Sequence, residues 1–150
     1  MIYLRKADAT DVDLLFEWAN EPEVRKNSFN SELIDYSVHT KWFNKVLSSD
    51  NIEQFILMDD DTAVGQIRIN INEDEAEISY SIGAEFRGKG YGKRIVKELE
   101  EQIKTSYPKI QKLIARVKPS NIASKRVFES EDYELKNLKY EHFVNRGGTE

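Results

Sequence analysis

Between residues 75 and 105 the chain changes its apolar period, and it does so across Arg87-Gly-Lys-Gly-Tyr-Gly92. Before that segment the period is two: Ala76, Ile78, Tyr80 and Ile82 alternate with Glu77, Ser79 and Ser81, as in a strand with two unlike faces. After it, Ile95, Val96, Leu99 and Ile103 recur at helical spacing over about residues 90–105. Three glycines at the switch allow a backbone that other residues resist, and they let a ligand approach the main chain closely. The charges are reversed for a helix dipole. Arg87, Lys89, Lys93 and Arg94 crowd the positive N-terminal end, whereas Glu98, Glu100 and Glu101 come later. A bound anion held by first-turn N–H groups would offset this, so the segment reads as a seat for a pyrophosphate.

The remaining pattern supplies the frame. Residues 2–6 read as a strand. Thr10 is expected to cap a helix from Asp11 to about Asn20, with Val12, Leu15, Phe16 and Ala19 on one face. Residues 21–37 read as a polar connection, and Val38 to Ser48 as a second helix with stripe Trp42, Phe43, Val46 and Leu47. Strands are expected over 53–59, 63–71, 75–82 and 111–118, with Asn121 opening a helix to about Ser130. Two final strands fall within 133–145, and 146–150 read as a frayed tail. The order β-α-α-β-β-β-α-β-α-β-β makes a mixed α/β sheet with helices packed on it.

Composition narrows function mainly by exclusion. At 150 residues the chain has the size of one domain, taken here as 1–150. It has no cysteine and two histidines, which excludes a thiolate nucleophile or disulfide and argues against zinc. A net charge of −5 speaks against general nucleic-acid binding, and no apolar run is long enough to span a membrane. The start, MIYLRKADATDVD, lacks a signal-peptide core, so a cytoplasmic, metal-independent protein is expected. The loop spacing is neither G-x-G-x-x-G nor a Walker ending, which turns the reading away from dinucleotide and P-loop chemistry.

Arg87-x-x-Gly90-x-Gly92 resembles the acetyl-CoA motif of the GNAT acetyltransferase superfamily, and Asn121-x-x-Ser124 followed by Phe128 and Tyr133 is similar to its second cofactor motif. The resemblance runs along nearly the whole chain and implies the GNAT fold, a mostly antiparallel sheet of six to seven strands splayed between strands 4 and 5. It implies acetyl-CoA as acetyl donor and a primary amine as acceptor. The amides of Gly88, Lys89, Gly90, Tyr91, Gly92 and Lys93, with Arg87, would then hold the pyrophosphate. The Ile82 main chain would pair with the pantetheine arm and polarise the thioester carbonyl. Asn121 would steady the arm, beside Phe128, or act as a helix cap. Glu77 would serve as base, directly or through water.

Two departures from the family pattern matter. Phe128 stands where many members carry a proton-donating tyrosine, so Ser124 is the expected acid. Asp132 replaces a glycine before Tyr133, which reads as core.

The acceptor side is less constrained. Gln66, Arg68, Asn70, Glu77, Ser79 and Ser81 share polar strand faces, which suits a hydrophilic acceptor. Arg68 would meet an anionic group such as a nucleotide diphosphate, or an acidic turn residue of the chain. Trp18-Ala19-Asn20 with Val24-Arg25, then Ser28-Phe29, His39-x-x-Trp42-Phe43 and Gly65-Gln66-Ile67-Arg68 resemble acetyltransferases of bacterial nonulosonic-acid pathways, which act on the amino group of UDP-linked 4-amino-sugars. That resemblance makes Trp18, Asn20, His39, Trp42 and Arg68 the acceptor-side candidates. An N-terminal acetyltransferase of ribosomal proteins, a silent acyl-CoA-binding module and an oligomer stay open as alternatives.

Overall fold

The computed structural model describes residues 1–136 and 139–145, so the expectation for the tail at 146–150 lies outside the described residues. Seven strands form one sheet in the order β1-β2-β3-β4-β5-β7-β6. They are β1 (Ile2–Lys6), β2 (Ile52–Asp59), β3 (Thr62–Asn72), β4 (Glu75–Ile82), β5 (Lys112–Arg116), β6 (Glu134–Lys136) and β7 (Lys139–Phe143). Every neighbouring pair is antiparallel except β4 and β5, which run parallel. A parallel pair needs a crossover, and the helix α4 (Tyr91–Ser106) provides it. The other helices are α1 (Val12–Ala19), α2 (Pro22–Asn27), α3 (Tyr36–Ser48) and α5 (Ile122–Ser130).

The alternation read in the sequence gives the sheet two cores. On one face Phe55, Leu57, Ile67, Ile69, Ala76, Ile78, Leu113 and Ala115 pack against Ile95, Val96, Leu99 and Ile103 of α4 and against Phe128, Tyr133 and Tyr140. On the other, Ile56 and Met58 of β2 meet Leu15 of α1 and Phe43 and Val46 of α3. This second core covers only the β2 end of its face. The polar residues of β3 and β4 on that face are left to line a cleft. Gly65 permits the close fit of β3 to the end of β4, because a Cβ there would lie 2.8 Å from Ser81 O and 2.8 Å from Ile82 Cδ1.

Three local expectations are corrected. Thr10 is not the cap of α1. Asp8 caps a single 3-10 turn, Ala9–Asp11, that leads into the helix. The buried Asp11 carboxylate receives both Arg5 Nη atoms at 2.8 Å, which binds this turn to β1 and holds the carboxyl below its ordinary range. The connection at 21–37 contains α2, opened by Pro22 at its first turn. It is braced by Arg25, whose guanidinium donates to the carbonyls of Ala19, Asn30 and Glu32. The second helix begins at Tyr36 rather than Val38. The strand at 111–118 and the helix at 90–105 hold with end shifts of one or two residues.

Glu100 is an exception to the apolar face of α4. Its carboxylate side chain is only 12 % exposed, 3.8 Å from His142 Nε2, and its Oε2 has no hydrogen-bond partner among the described residues. Burial pushes its pKa from 4.5 up to about 7. Native Glu100 therefore keeps its proton where the unfolded carboxyl has lost it, and its contribution to stability falls as pH rises from 4.5 towards 7. Glu100→Gln is expected to raise stability at pH 8 by about 1–3 kcal/mol, with the gain gone near pH 4 to 5. Denaturant midpoints at the two pH values check it.

Candidate active site

The sheet opens where β4 leaves β5. Only Glu75 to Ile78 pair with Lys112 to Ala115, whereas Gly65 to Asn72 of β3 hold β4 along its full length. Gly83 N–H donates to Val64 O at 2.8 Å, which continues the β3 ladder past the end of β4. Antiparallel alternation then turns the main-chain groups of Tyr80 and Ile82 the other way, into the gap that β5 does not fill. The gap runs into a cleft of about 880 Å³ that reaches from the glycine loop to α3.

The glycine loop closes one end. Gly88 (φ 77°) and Gly90 (φ 85°) are left-handed, and a Cβ on either would meet no atom within 4 Å, so the loop faces open space. Gly90 is the N-cap of α4, and no side chain caps that end. The N–H groups of the first turn are thus available to an anion. The cations that suggested an anion are mostly matched within the chain. Arg87 Nη2 is 2.5 Å from Glu21 Oε2 and its Nε donates to Ile82 O at 3.2 Å. Lys93 lies 3.7 Å from Glu131, and Arg94 Nε 2.9 Å from Glu98. Among the described residues Lys89 alone of the four has no carboxylate within 4.0 Å. The reversed helix charges therefore do not by themselves require a ligand. The open glycines and the uncapped helix end carry that inference instead. Tyr91 is also engaged, its hydroxyl donating to Asp59.

Helix α5 forms the far wall. Asn121 is its N-cap, accepting from Ser124 N–H at 3.2 Å. Ser124 Oγ lies 3.0 Å from the Tyr80 hydroxyl. Phe128 is buried among Tyr80, Tyr133 and Tyr140, with ring centroids 4.9 to 5.9 Å apart, so it builds the floor beneath the cleft. Tyr133 is core, and Asp132 adopts φ 65°, the left-handed conformation that a glycine would supply at this turn.

Across the sheet, Glu77 Oε1 accepts from Arg116 Nε at 2.7 Å while remaining half exposed at the cleft. Gln54, Gln66 and Ser81 form a chain, Gln54 Nε2 to Gln66 Oε1 at 2.8 Å and Gln66 Nε2 to Ser81 Oγ at 3.1 Å. Arg68 places its guanidinium 4.9 Å from the Trp42 ring centroid, and burial lowers its pKa. No hydrogen bond or carboxylate within 4.0 Å meets that guanidinium among the described residues, so the expected acidic turn partner is absent there. Trp18 packs beside Gly83 and lines the cleft.

Two acceptor-side assignments are corrected. The Asn20 amide is spent on Ile34, donating to its carbonyl at 2.9 Å and accepting from its N–H at 2.8 Å. His39 is buried, its Nε2 3.0 Å from Val12 O and its ring between Phe16 and Phe43, and burial lowers its pKa. Both residues hold the wall of the cleft. The sequence reading left Tyr80 out of the site and named Arg25 only within a family motif, without a role. Tyr80 was visible only as an apolar-face residue of β4, and its polar tip was the signal. The role of Arg25 rests on main-chain carbonyls at the end of α1 and in the loop that follows α2, which side-chain pattern does not show.

A family model described as an acetyltransferase (GNAT) domain matches residues 2–133. The chain is 26 % identical over 152 residues to the uncharacterized N-acetyltransferase p20 of Bacillus licheniformis, covering 96 % of this chain and 85 % of the relative. A domain from Methanocaldococcus jannaschii is 25 % identical with TM-score 0.80, covering 95 % of this chain and 98 % of that one. The spermidine N-acetyltransferase of Vibrio cholerae, solved with CoA and spermine, superposes at TM-score 0.87 and 14 % identity, with 95 % of each chain covered. AAC(6')-Ib, solved with ribostamycin and coenzyme A, superposes at 0.84 and 18 %, covering 95 % and 93 %. At those identities the last two show the fold alone.

The left-handed loop has a measurable cost if altered. Gly90→Val meets no neighbour but forces a β-branched residue to positive φ, so a loss of about 1–2 kcal/mol is expected, read as a lower denaturant midpoint.

Proposed function

Because the chain belongs to the GNAT acetyltransferase family and is an acetyl-CoA-dependent N-acetyltransferase, we propose that its acceptor is the amino group of a nucleotide-linked amino-sugar in bacterial surface-glycan synthesis. In this reading residues 1–150 act as one domain. The observation that supports it is Arg68. A guanidinium lying on the Trp42 face, in the cleft and without a carboxylate partner among the described residues, is suited to bidentate contact with phosphate. The same charge opposes a polycation, which sets this cleft apart from what spermine or an aminoglycoside would need. The resemblance of the Trp18, Trp42 and Arg68 segments to nonulosonic-acid pathway enzymes points the same way.

The cleft fits the donor. The open positions beside Gly88 and Gly90 and the uncapped start of α4 suit a pyrophosphate, with Gly92, Lys89, Tyr91 and Lys93 around them and Arg87 bracing the loop. The gap beside Tyr80 and Ile82 suits an extended arm with amide groups, and Asn121 and Phe128 bound it on the α5 side. Acetyl-CoA, when bound, supplies an acetyl group on a thiol leaving group. Ile82 N–H would donate to the carbonyl oxygen as charge grows on it. Glu77, held by Arg116, would take the amine proton, directly or through water. Ser124 would return a proton to the sulfur.

A peptide N-terminus is the second reading. It draws on Phe29 and Leu33, which stand exposed on the segment that walls the cleft.

Thiol release from acetyl-CoA should separate these, since a cysteine-free chain adds no background. Turnover is expected with UDP-4-amino-sugars and not with ribosomal N-terminal peptides or spermidine. Arg68→Ala should raise the acceptor KM about tenfold or more with little change in kcat. Preference for the peptides or spermidine would refute the sugar-nucleotide reading. Glu77→Gln should lower kcat about 100-fold at neutral pH, with the deficit shrinking at alkaline pH, where the amine is already neutral. A deficit that is the same at every pH would remove Glu77 as the base.

A further inference from the structure

Tyr80 and Ser124 form a hydroxyl pair with one proton to spare. Their oxygens lie 3.0 Å apart across the cleft floor, one on β4 and the other on α5. Among the described residues neither hydroxyl has another hydrogen-bond partner. A helical serine commonly bonds the carbonyl four residues back. Ser124 sits in the first turn of α5, where that position precedes the helix, and it turns to Tyr80 instead. Two O–H groups share one hydrogen bond, so one proton has no acceptor among the described residues. Both residues line the cleft, and that proton faces it.

The phenol is the stronger acid of the two. Either hydroxyl can donate across this contact; the arrangement that acidity favours has Tyr80 donating to Ser124 Oγ, which leaves the Ser124 proton free. The Tyr80 ring is fixed against Phe128 at 5.7 Å in an edge contact. A Cβ on Gly92 would come within 3.7 Å of the Tyr80 hydroxyl, so the pair stands at the junction of the α4 and α5 starts. Burial raises the Tyr80 pKa, which keeps it in the donating form.

The geometry points to Tyr80 as a positioning residue for proton delivery, orienting the Ser124 hydroxyl towards the thiol leaving group and backing it with a second proton. As the C–S bond breaks, its electron pair stays on sulfur. The Ser124 O–H donates to that sulfur while the Tyr80 O–H donates to Ser124 Oγ; the proton that settles on sulfur is replaced on the pair, through cleft water, by the proton the amine gives up, so no phenolate persists. The inference rests on the reading of Ser124 as the donor.

The test uses CoA itself and needs no acceptor. The chain has no cysteine, so CoA carries the only thiol of the complex, and titrating each protein without CoA removes the absorbance of its tyrosines from the ultraviolet thiolate signal. If two hydroxyls back the sulfur, bound thiolate is stabilised, and about tenfold more of it should form at a given pH than in free CoA. Tyr80→Phe and Ser124→Ala should each remove that gain, while CoA affinity at acid pH, where the thiol is neutral, stays within about threefold of wild type. A Tyr80→Phe complex that titrates like wild type, while Ser124→Ala loses the gain, overturns the role of Tyr80 and leaves Ser124 standing. A wild-type complex that titrates like free CoA refutes the Ser124 reading and this inference with it. Loss in Tyr80→Phe with none in Ser124→Ala overturns action through Ser124.

Discussion

The parting of β4 from β5 is the constraint on which the rest of the site depends. β4 is bonded to β3 over its whole length but to β5 over four residues, so its outer half has a free edge inside the sheet. Buried main-chain polar groups need partners, and a free edge in the middle of a sheet is tolerable only beside water or a ligand. The fold keeps it accessible by placing helices around the gap instead of over it. α4 begins at one end of the opening with no side-chain cap among the described residues, and α5 begins at the other, capped by Asn121. Two helix N-termini and one strand edge, whose Ile82 carbonyl accepts from Arg87, then converge on the cleft.

The charges follow the same logic at longer range. Arg87 reaches Glu21 at the start of α2, and Lys93 reaches Glu131 at the end of α5. Each pair ties an element that borders the cleft to the glycine loop. Exposed pairs of this kind add little stability by themselves. Their value here is positional, since they hold the loop against the two walls it must face. Arg68 is treated differently. It receives an aromatic face and, among the described residues, no carboxylate within 4.0 Å, Glu77 acting on it only at longer range, and a half-buried cation left in that state keeps its capacity for an anion from outside.

The two faces of the sheet divide the labour. The face under α4 is closed by close-packed aliphatic and aromatic side chains. The opposite face is closed by α1 and α3 only over β2, and the polar alternate residues of β3 and β4 remain at the cleft. Arg25 and Asn20 hold the 28–34 segment as the outer wall by bonding its main chain. Asn20 and His39 looked like acceptor contacts because polar residues beside tryptophans suggest recognition. Asn20 instead holds the 28–34 wall through Ile34, and His39 ties α3 to α1 through the Val12 carbonyl.

The sequence by itself determined the period of each element, the side each strand turns to the core, and the place where glycine interrupts the pattern. Those properties are local: they depend on neighbours one to four residues away, and a binary pattern states them directly. Hence the succession of strands along the chain, a helix over about 90–105, the Asn121 cap and the glycine loop were legible before any coordinates, whereas α2 was not. Only the tertiary structure decided which charge meets which. Glu21 and Arg87 are separated by 66 residues, Tyr80 and Ser124 by 44, and Arg116 and Glu77 by 39. No spacing rule encodes such pairs, because their distance is set by the sheet register and the crossover rather than by the chain between them. The anion seat was read from four cations, and three of them have carboxylate partners within the chain. Glu21 and Glu131, which meet Arg87 and Lys93, arrive from elements far away in sequence, and Glu98 meets Arg94 from the next turn of the same helix.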